Sequence, residues 1–227
     1  MHHQYIPNFT AEVRDNMEYG SLSEKAYYLV KDMILGCEKG QYISMRDVAS
    51  QIGMSYTPVR EAFQRLKNEG LLDLEPNIGF FVPKLDISEL VKIYEARECI
   101  EKYVLDKAFD NLRPSDISEL KDAVEEQKKC LAAEDIRGYL KEDERFHMVF
   151  FRACNNPYLT ELVRSIRAKY LVCSKKIRHG SDVAIEEHLS MIELIEKGEK
   201  ENAAALMQFH VTHAKQRMME GYISYNG

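Results

Sequence analysis

The chain has 227 residues, enough for one large domain or two of ordinary size, and 45% of them are apolar, enough to fill buried cores. No run of about 18 apolar residues occurs, so a transmembrane helix is not expected. Thirty-seven acidic against 31 basic residues give a net charge of −6, so any contact with nucleic acid must come from a local patch and not from the field of the whole molecule.

The five cysteines, Cys37, Cys99, Cys130, Cys154 and Cys173, are widely spaced, odd in number and form no C-x-x-C pair. That pattern argues against a disulfide framework or a cysteine zinc site. The opening Met1-His2-His3-Gln4 has neither the charged nor the apolar stretch of a secretory leader. A reduced, cytoplasmic setting is expected.

In chain order, residues 1–20 read as an irregular arm. Helical periodicity runs from Leu22 to about Leu35, and the Gly36–Gly40 stretch breaks it. A short helix over Arg46–Ile52 ends at Gly53. A further helix starts at Ser55 and stops at Gly70. Two short strands, Leu71–Leu74 and Phe80–Pro83, flank a turn with Pro76, Asn77 and Gly79. Helix, helix, turn, helix and hairpin together predict a winged helix-turn-helix over residues 21–84.

From Asp86 the pattern predicts six helices, over 86–110, 115–132, 134–153, 157–178, 182–197 and 199–221. Breaks fall at Arg113-Pro114, Asn155-Asn156-Pro157, His179-Gly180 and Gly198. No strand signal follows residue 85. The expected fold is mainly α: a winged helix-turn-helix, then an all-α antiparallel bundle over residues 85–227.

The helix after Ser55 is two-faced. Val59, Ala62, Phe63 and Leu66 form an apolar stripe at i, i+3, i+4 and i+7, while Thr57, Arg60, Gln64 and Lys67 form a polar face. Ser55 suits an N-cap and Pro58 the first turn. Between Arg46 and Lys67, four basic residues oppose two acidic ones, although residues 1–84 hold nine basic and eleven acidic. An ordinary amphipathic helix with a solvated polar face is the competing reading.

The run Arg46-Asp47-Val48-Ala49, then Gly53-Met54-Ser55-Tyr56-Thr57-Pro58-Val59-Arg60-Glu61-Ala62, then Arg65-Leu66 and Glu69-Gly70-Leu71, resembles the GntR family signature. The resemblance covers roughly residues 22–83. It implies operator contacts by Arg46, Ser55, Thr57 and Arg60, with Tyr56, Gln64 and Lys67 on the same helix and Gly79 at the wing tip near the minor groove. Two departures stand out. Tyr56 occupies a position that is often basic in the family, and the wing turn Glu75–Gly79 carries no basic residue.

Four polar residues interrupt apolar stripes in the C-terminal helices. Asp143 and His147 are i, i+4 neighbours and share a face with Leu140, Phe150, Phe151 and Cys154. His188 lies in line with Ile185, Ile192 and Ile195, and His210 with Ala203, Leu206, Met207 and Ala214. Burying unpaired polar groups is costly, so the groups either meet, as a carboxylate and three imidazoles suited to zinc, or each bonds to backbone as a separate core histidine. Arg97, between Tyr94 and Glu101 on a face with Leu90 and Val104, either pairs with Glu101 or clamps an anion.

Residues 86–220 resemble the FCD-type effector domain of the FadR subfamily. The motifs are Arg97-x-x-Ile-Glu101, Asp143-x-x-Phe-His147, Asn156-Pro157-Tyr158-Leu159, Glu187-His188 and Met207-x-x-His210. The resemblance implies a divalent metal on Asp143, His147, His188 and His210, zinc first and nickel or another transition metal next. His213 is a possible substitute ligand. It further implies a small organic-acid effector near the metal, contacted by Arg97 and Asn156. The expected function is a homodimeric, ligand-responsive DNA-binding regulator of double-stranded operator DNA, not an enzyme and not membrane-bound. A metal-dependent enzyme acting on small carboxylates is the alternative, and a pure interaction module ranks last.

Overall fold

Short polar caps set the helix boundaries. In the computed structural model, residues 20–37, 40–83, 87–174 and 182–226 are described. The expected N-terminal arm and the break at His179-Gly180 lie outside them. The chain divides into two units, Met1–Leu85 and Asp86–Gly227.

In the first unit, Ser21 caps α1 (Leu22–Gly36) by accepting from the Glu24 amide at 3.1 Å. A short strand β1 (Tyr42–Ile43) leads to Ser44, whose hydroxyl caps α2 (Met45–Ile52) through the Asp47 amide. Gly53 ends α2 in the left-handed region, φ +66°, where a Cβ would be strained. Then follow α3 (Tyr56–Asn68), β2 (Asp73–Glu75) and β3 (Gly79–Phe81). The sheet order is β1-β3-β2, antiparallel throughout, with Tyr42 opposite Phe81 and Leu74 opposite Phe80.

The core of this unit comes from the predicted stripe. Val59, Ala62, Phe63 and Leu66 are buried, as are Ala26, Val30 and Ile34 of α1, the helix that packs on α3, and Phe63 meets Phe80 edge to face at 5.2 Å. β2 starts two residues later than the apolar run suggests, because Leu71 and Leu72 are core residues at the end of α3's turn and not ladder residues, and β3 starts one residue earlier, at Gly79. β1 is too short to show as a pattern.

Among its described residues the second unit is helical: α4 (Ile87–Ala108), a 3-10 turn (Phe109–Asn111), α5 (Pro114–Ala132), α6 (Ile136–Cys154), α7 (Pro157–Ser174), α8 (Asp182–Glu196) and α9 (Lys200–Asn226). Asp135 caps α6 through the Gly138 amide at 2.9 Å, and Asn155 ends it at φ +52°. α4 packs against α6, α7 and α9, α5 against α6 and α8, and α8 against α9. Among the described residues no helix is long and apolar enough to cross a membrane.

Candidate metal centre and recognition helix

Within the first unit, α3 buries Val59, Ala62, Phe63 and Leu66 and exposes Ser55, Tyr56, Thr57, Arg60 and Gln64, with Lys67 half-buried. Ser55 is the N-cap by backbone, but its side chain makes no cap hydrogen bond. Arg46 is exposed on α2, and Gly79 follows the wing turn at φ +143°. Two charged residues of α3 are held within the unit. Arg65 lies 3.7 Å over the Tyr27 ring and bonds Glu69, which also accepts from the Tyr27 hydroxyl. Glu61 accepts from the Ser23 hydroxyl. The basic surface at the start of α3 therefore rests on Arg46 and Arg60, with Lys67 further along.

In the second unit every helix sends a polar side chain to one buried cluster. α6 supplies Asp143 and His147, α8 supplies His188 and α9 supplies His210. One donor atom from each of these four lies within 4.8 Å of all the others. The three rings are almost wholly buried, and Asp143 is 8% exposed. His188 Nε2 is 3.3 Å from His210 Nε2 and 3.9 Å from Asp143 Oδ1, and His147 Nε2 is 3.8 Å from that oxygen.

The outer partners fix which ring atoms face inward. His188 Nδ1 meets Gln127 Oε1 of α5 at 2.9 Å, and His210 Nδ1 meets Glu187 Oε2 at 2.7 Å. An amide oxygen and a carboxylate accept, so these rings carry their protons on Nδ1. His147 Nδ1 lies 2.7 Å from Glu101 Oε2, and both ring nitrogens of His147 are buried without a hydrogen bond of good geometry. Two Nε2 lone pairs facing each other at 3.3 Å, beside an unpartnered third, form a set that a cation satisfies. Nitrogens on a tetrahedral zinc, each about 2.0–2.1 Å from it, stand about 3.3 Å apart. The donor set thus fits a metal, and acceptors behind ligand imidazoles are the usual support of such sites.

Burial and charge act on the same groups. Burial pushes His147 down to about 4 and lowers His188 as well. Burial alone would raise the carboxyls, yet His147 and Arg167 hold Asp143 below its ordinary range, and Arg97 and His147 do the same for Glu101. Glu187 falls to about 2 despite its burial, because His210, His213 and Arg217 donate to it.

Arg97 forms the pair with Glu101, Nε to Oε1 at 2.6 Å, with both side chains buried. It also lines a cavity of about 30 Å³ together with Tyr94, Asp143, His210 and Arg217. Asn156 is elsewhere. Its Oδ1 accepts from the amides of Tyr158 and Leu159 and caps α7, and it does not line the cavity. His213 donates to Glu187 at 2.9 Å, outside the four-residue cluster.

Sequence reasoning missed Gln127, Arg167 and Arg217. Arg167 is buried on α7 and bonds both Asp143 Oδ2 and Glu101 Oε1. Its signal was available: it stands one turn beyond the buried Val163, a charge on an apolar stripe like Arg97. Gln127 lies in the same way on the stripe of Leu120 and Val124.

Comparison with known proteins follows the two units. Residues 92–213 match the FCD domain, and residues 22–82 match the bacterial regulatory proteins of the gntR family. The Nta operon transcriptional regulator of Aminobacter aminovorans is 29% identical over 183 residues, which is 80% of this chain and 86% of that protein. The structure of E. coli McbR/YncC superposes with a TM-score of 0.80 at 23% identity, over 92% of this chain and all of that one. The Zn2+-bound FCD domain of TM0439 superposes at 0.52 and 24% identity, over 63% of this chain and 99% of that one. A helix-turn-helix with an exposed polar recognition face, a hairpin wing and a helical domain matching FCD over more than half the chain place this protein in the GntR family, as a DNA-binding transcriptional regulator with a C-terminal FCD domain.

Proposed function

We propose that the helical unit binds one divalent transition metal, zinc in the first instance, through Asp143, His147, His188 and His210. A small organic acid bound beside it then controls operator binding by a homodimer. The observation that carries this reading is the convergence of the four donors, with every ring Nδ1 turned to an acceptor on another helix. The Zn2+-bound relative of the same fold supports it.

A bound ion supplies an electrophilic centre for carboxylate oxygens. The chain's own residues do the rest. Glu101, Gln127 and Glu187 orient the rings, and Arg167 holds Asp143 Oδ2 so that Oδ1 faces the ring nitrogens. Arg97 lines the cavity wall beside Asp143 and His210 and adds positive charge there. In the other unit, Arg46, Ser55, Tyr56, Thr57, Arg60, Gln64 and Lys67 contact the operator, and the wing brings Gly79 toward the minor groove. Two such heads in a dimer read two half-sites.

The test is elemental analysis of the purified protein with operator titrations in the presence of organic acids. One ion per chain is expected in the wild type and none in His147→Ala or His188→Ala. Operator affinity should change with acid only in the metal-loaded wild type. Full metal occupancy in both variants refutes the site.

A further inference from the structure

The residues lining the cavity differ in exposure, and the difference locates its mouth. Tyr94, Arg97, Tyr139, Leu140, Asp143, Ala184 and His210 are all buried, while Ala214 and Arg217 of α9 are part-exposed. The cavity therefore opens along α9, and Arg217, one turn beyond Ala214, is the charged residue at that opening. Its hold is weak. Its two Nη atoms reach the two Glu187 oxygens at 3.3 and 3.4 Å, while the same carboxylate takes shorter bonds from His210 at 2.7 Å and His213 at 2.9 Å. Glu187 would keep both imidazole donors if Arg217 turned away.

Charge sets what the cavity accepts. Among the described residues around the cluster, Arg97, Arg167 and Arg217 balance Glu101, Asp143 and Glu187. Histidines bind metal in neutral form, so a divalent ion adds two uncompensated positive charges to a largely buried site. Buried charge of that kind calls for a matching anion. A monocarboxylate supplies half of it.

We propose that Arg217 is a second, exchangeable anchor for the effector, and that the effector is a small dicarboxylate. One carboxylate lies inward, at the metal and beside Arg97, and the other takes the Arg217 fork from Glu187 at the mouth. This rests on the effector reading given above. The volume of about 30 Å³ fits the exchange: that space suits one or two waters, so a four-carbon diacid enters only if the Arg217–Glu187 pair opens. A guanidinium fork matches a carboxylate with two parallel bonds, which makes the exchange favourable.

The test is calorimetry of zinc-loaded full-length protein with succinate and with butyrate, which share a four-carbon chain and differ in the second carboxylate. Wild type should bind succinate more tightly by about tenfold or more, the effect of gaining charge-assisted hydrogen bonds. In Arg217→Gln, compared at equal zinc content, that preference should vanish and the two acids should bind alike. Arg217→Lys should retain part of the preference, since it keeps charge without the fork. A preference that survives in Arg217→Gln overturns the anchor. Equal binding of the two acids by wild type overturns the dicarboxylate assignment and leaves the effector reading standing. If neither acid binds the zinc-loaded wild type, the effector reading itself fails.

Discussion

Arg167→Met removes one buried guanidinium and leaves its volume roughly filled. The arginine side chain is 2% exposed and bonds Asp143 Oδ2 and, at 3.4 Å, Glu101 Oε1. Glu101 keeps Arg97 at 2.6 Å, so the loss falls mainly on Asp143. Removing one partner of a buried pair costs about 3–5 kcal/mol, and the surviving Arg97 contact argues for the lower end, about 3 kcal/mol. In a domain of this size each kcal/mol moves the melting temperature by about 2–4 °C, so the metal-free variant should melt about 6–12 °C below wild type. Zinc at saturation should widen that deficit by about 1.4–2.7 kcal/mol, because each tenfold loss of affinity for the ion is subtracted from the stabilisation that binding gives the folded state. Zinc affinity itself should fall about 10–100-fold, as when a supporting partner of a metal ligand is lost. Melting curves of chelated and zinc-loaded protein, with a competition titration for zinc, measure all three. A chelated variant melting within about 2 °C of wild type, or a deficit that zinc leaves unchanged, refutes the account of Arg167 as the group that neutralises and orients Asp143.

Other variants separate roles that look alike in sequence. Arg60→Ala, exposed on α3, should weaken operator binding by about 1–3 kcal/mol and relax base preference, whereas Arg65→Ala should lower stability with little change in specificity, because Arg65 is stacked on Tyr27 and bonded to Glu69; fluorescence anisotropy on operator and mutated DNA, paired with melts, distinguishes the two. Arg97→Lys should lower affinity for carboxylates measured by calorimetry, since an ammonium cannot both hold Glu101 and offer a planar fork; unchanged affinity excludes Arg97 from the effector site. Stability of the metal-free protein should rise with pH between about 4 and 6.5, where the unfolded chain binds a proton on His147 that the folded chain refuses, and should be lost as pH falls through that window. At 1.36 kcal/mol per pH unit, His147 contributes about 3 kcal/mol to that change, and a flat melting profile across the window contradicts the burial of a neutral His147.

The parts of this molecule that were readable in sequence are those where one side chain's environment follows from its own helix. The α3 stripe and the positions of Asp143, His147, His188 and His210 are of that kind, because a polar residue in an apolar register must point inward. The partners of those residues were not readable. Gln127 meets His188 from 61 positions away, and Arg167 meets Glu101 from 66. No local pattern encodes that meeting. Asn156 has a use that its own position makes readable: an Asn before Pro157 at a helix start can cap, and its Oδ1 does so on α7. β1 escaped notice because two residues cannot display an alternation, and its pairing with β3 is supplied by chain folding.

The buried network also bears on how a ligand can act at a distance. Arg97 and Glu101 lie on α4, the helix that packs on α6, α7 and α9, and α4 begins at Ile87, at the start of the second unit. Arg167 ties α7 to α4 and α6, and Glu187 ties α8 to α9. A ligand that takes Arg217 from Glu187 therefore changes a contact between α9 and α8, while Arg97 is paired with Glu101 within α4. An effector shifts a conformational equilibrium only by its difference in affinity for the two states, and reversing a 1:99 balance takes a difference of about 10⁴-fold. Two charged anchors, each gained in one arrangement of α4 and α9 and lost in the other, would supply about 10–100-fold apiece, so together they span about 10²–10⁴-fold and meet that requirement at the upper end, where a single anchor falls short.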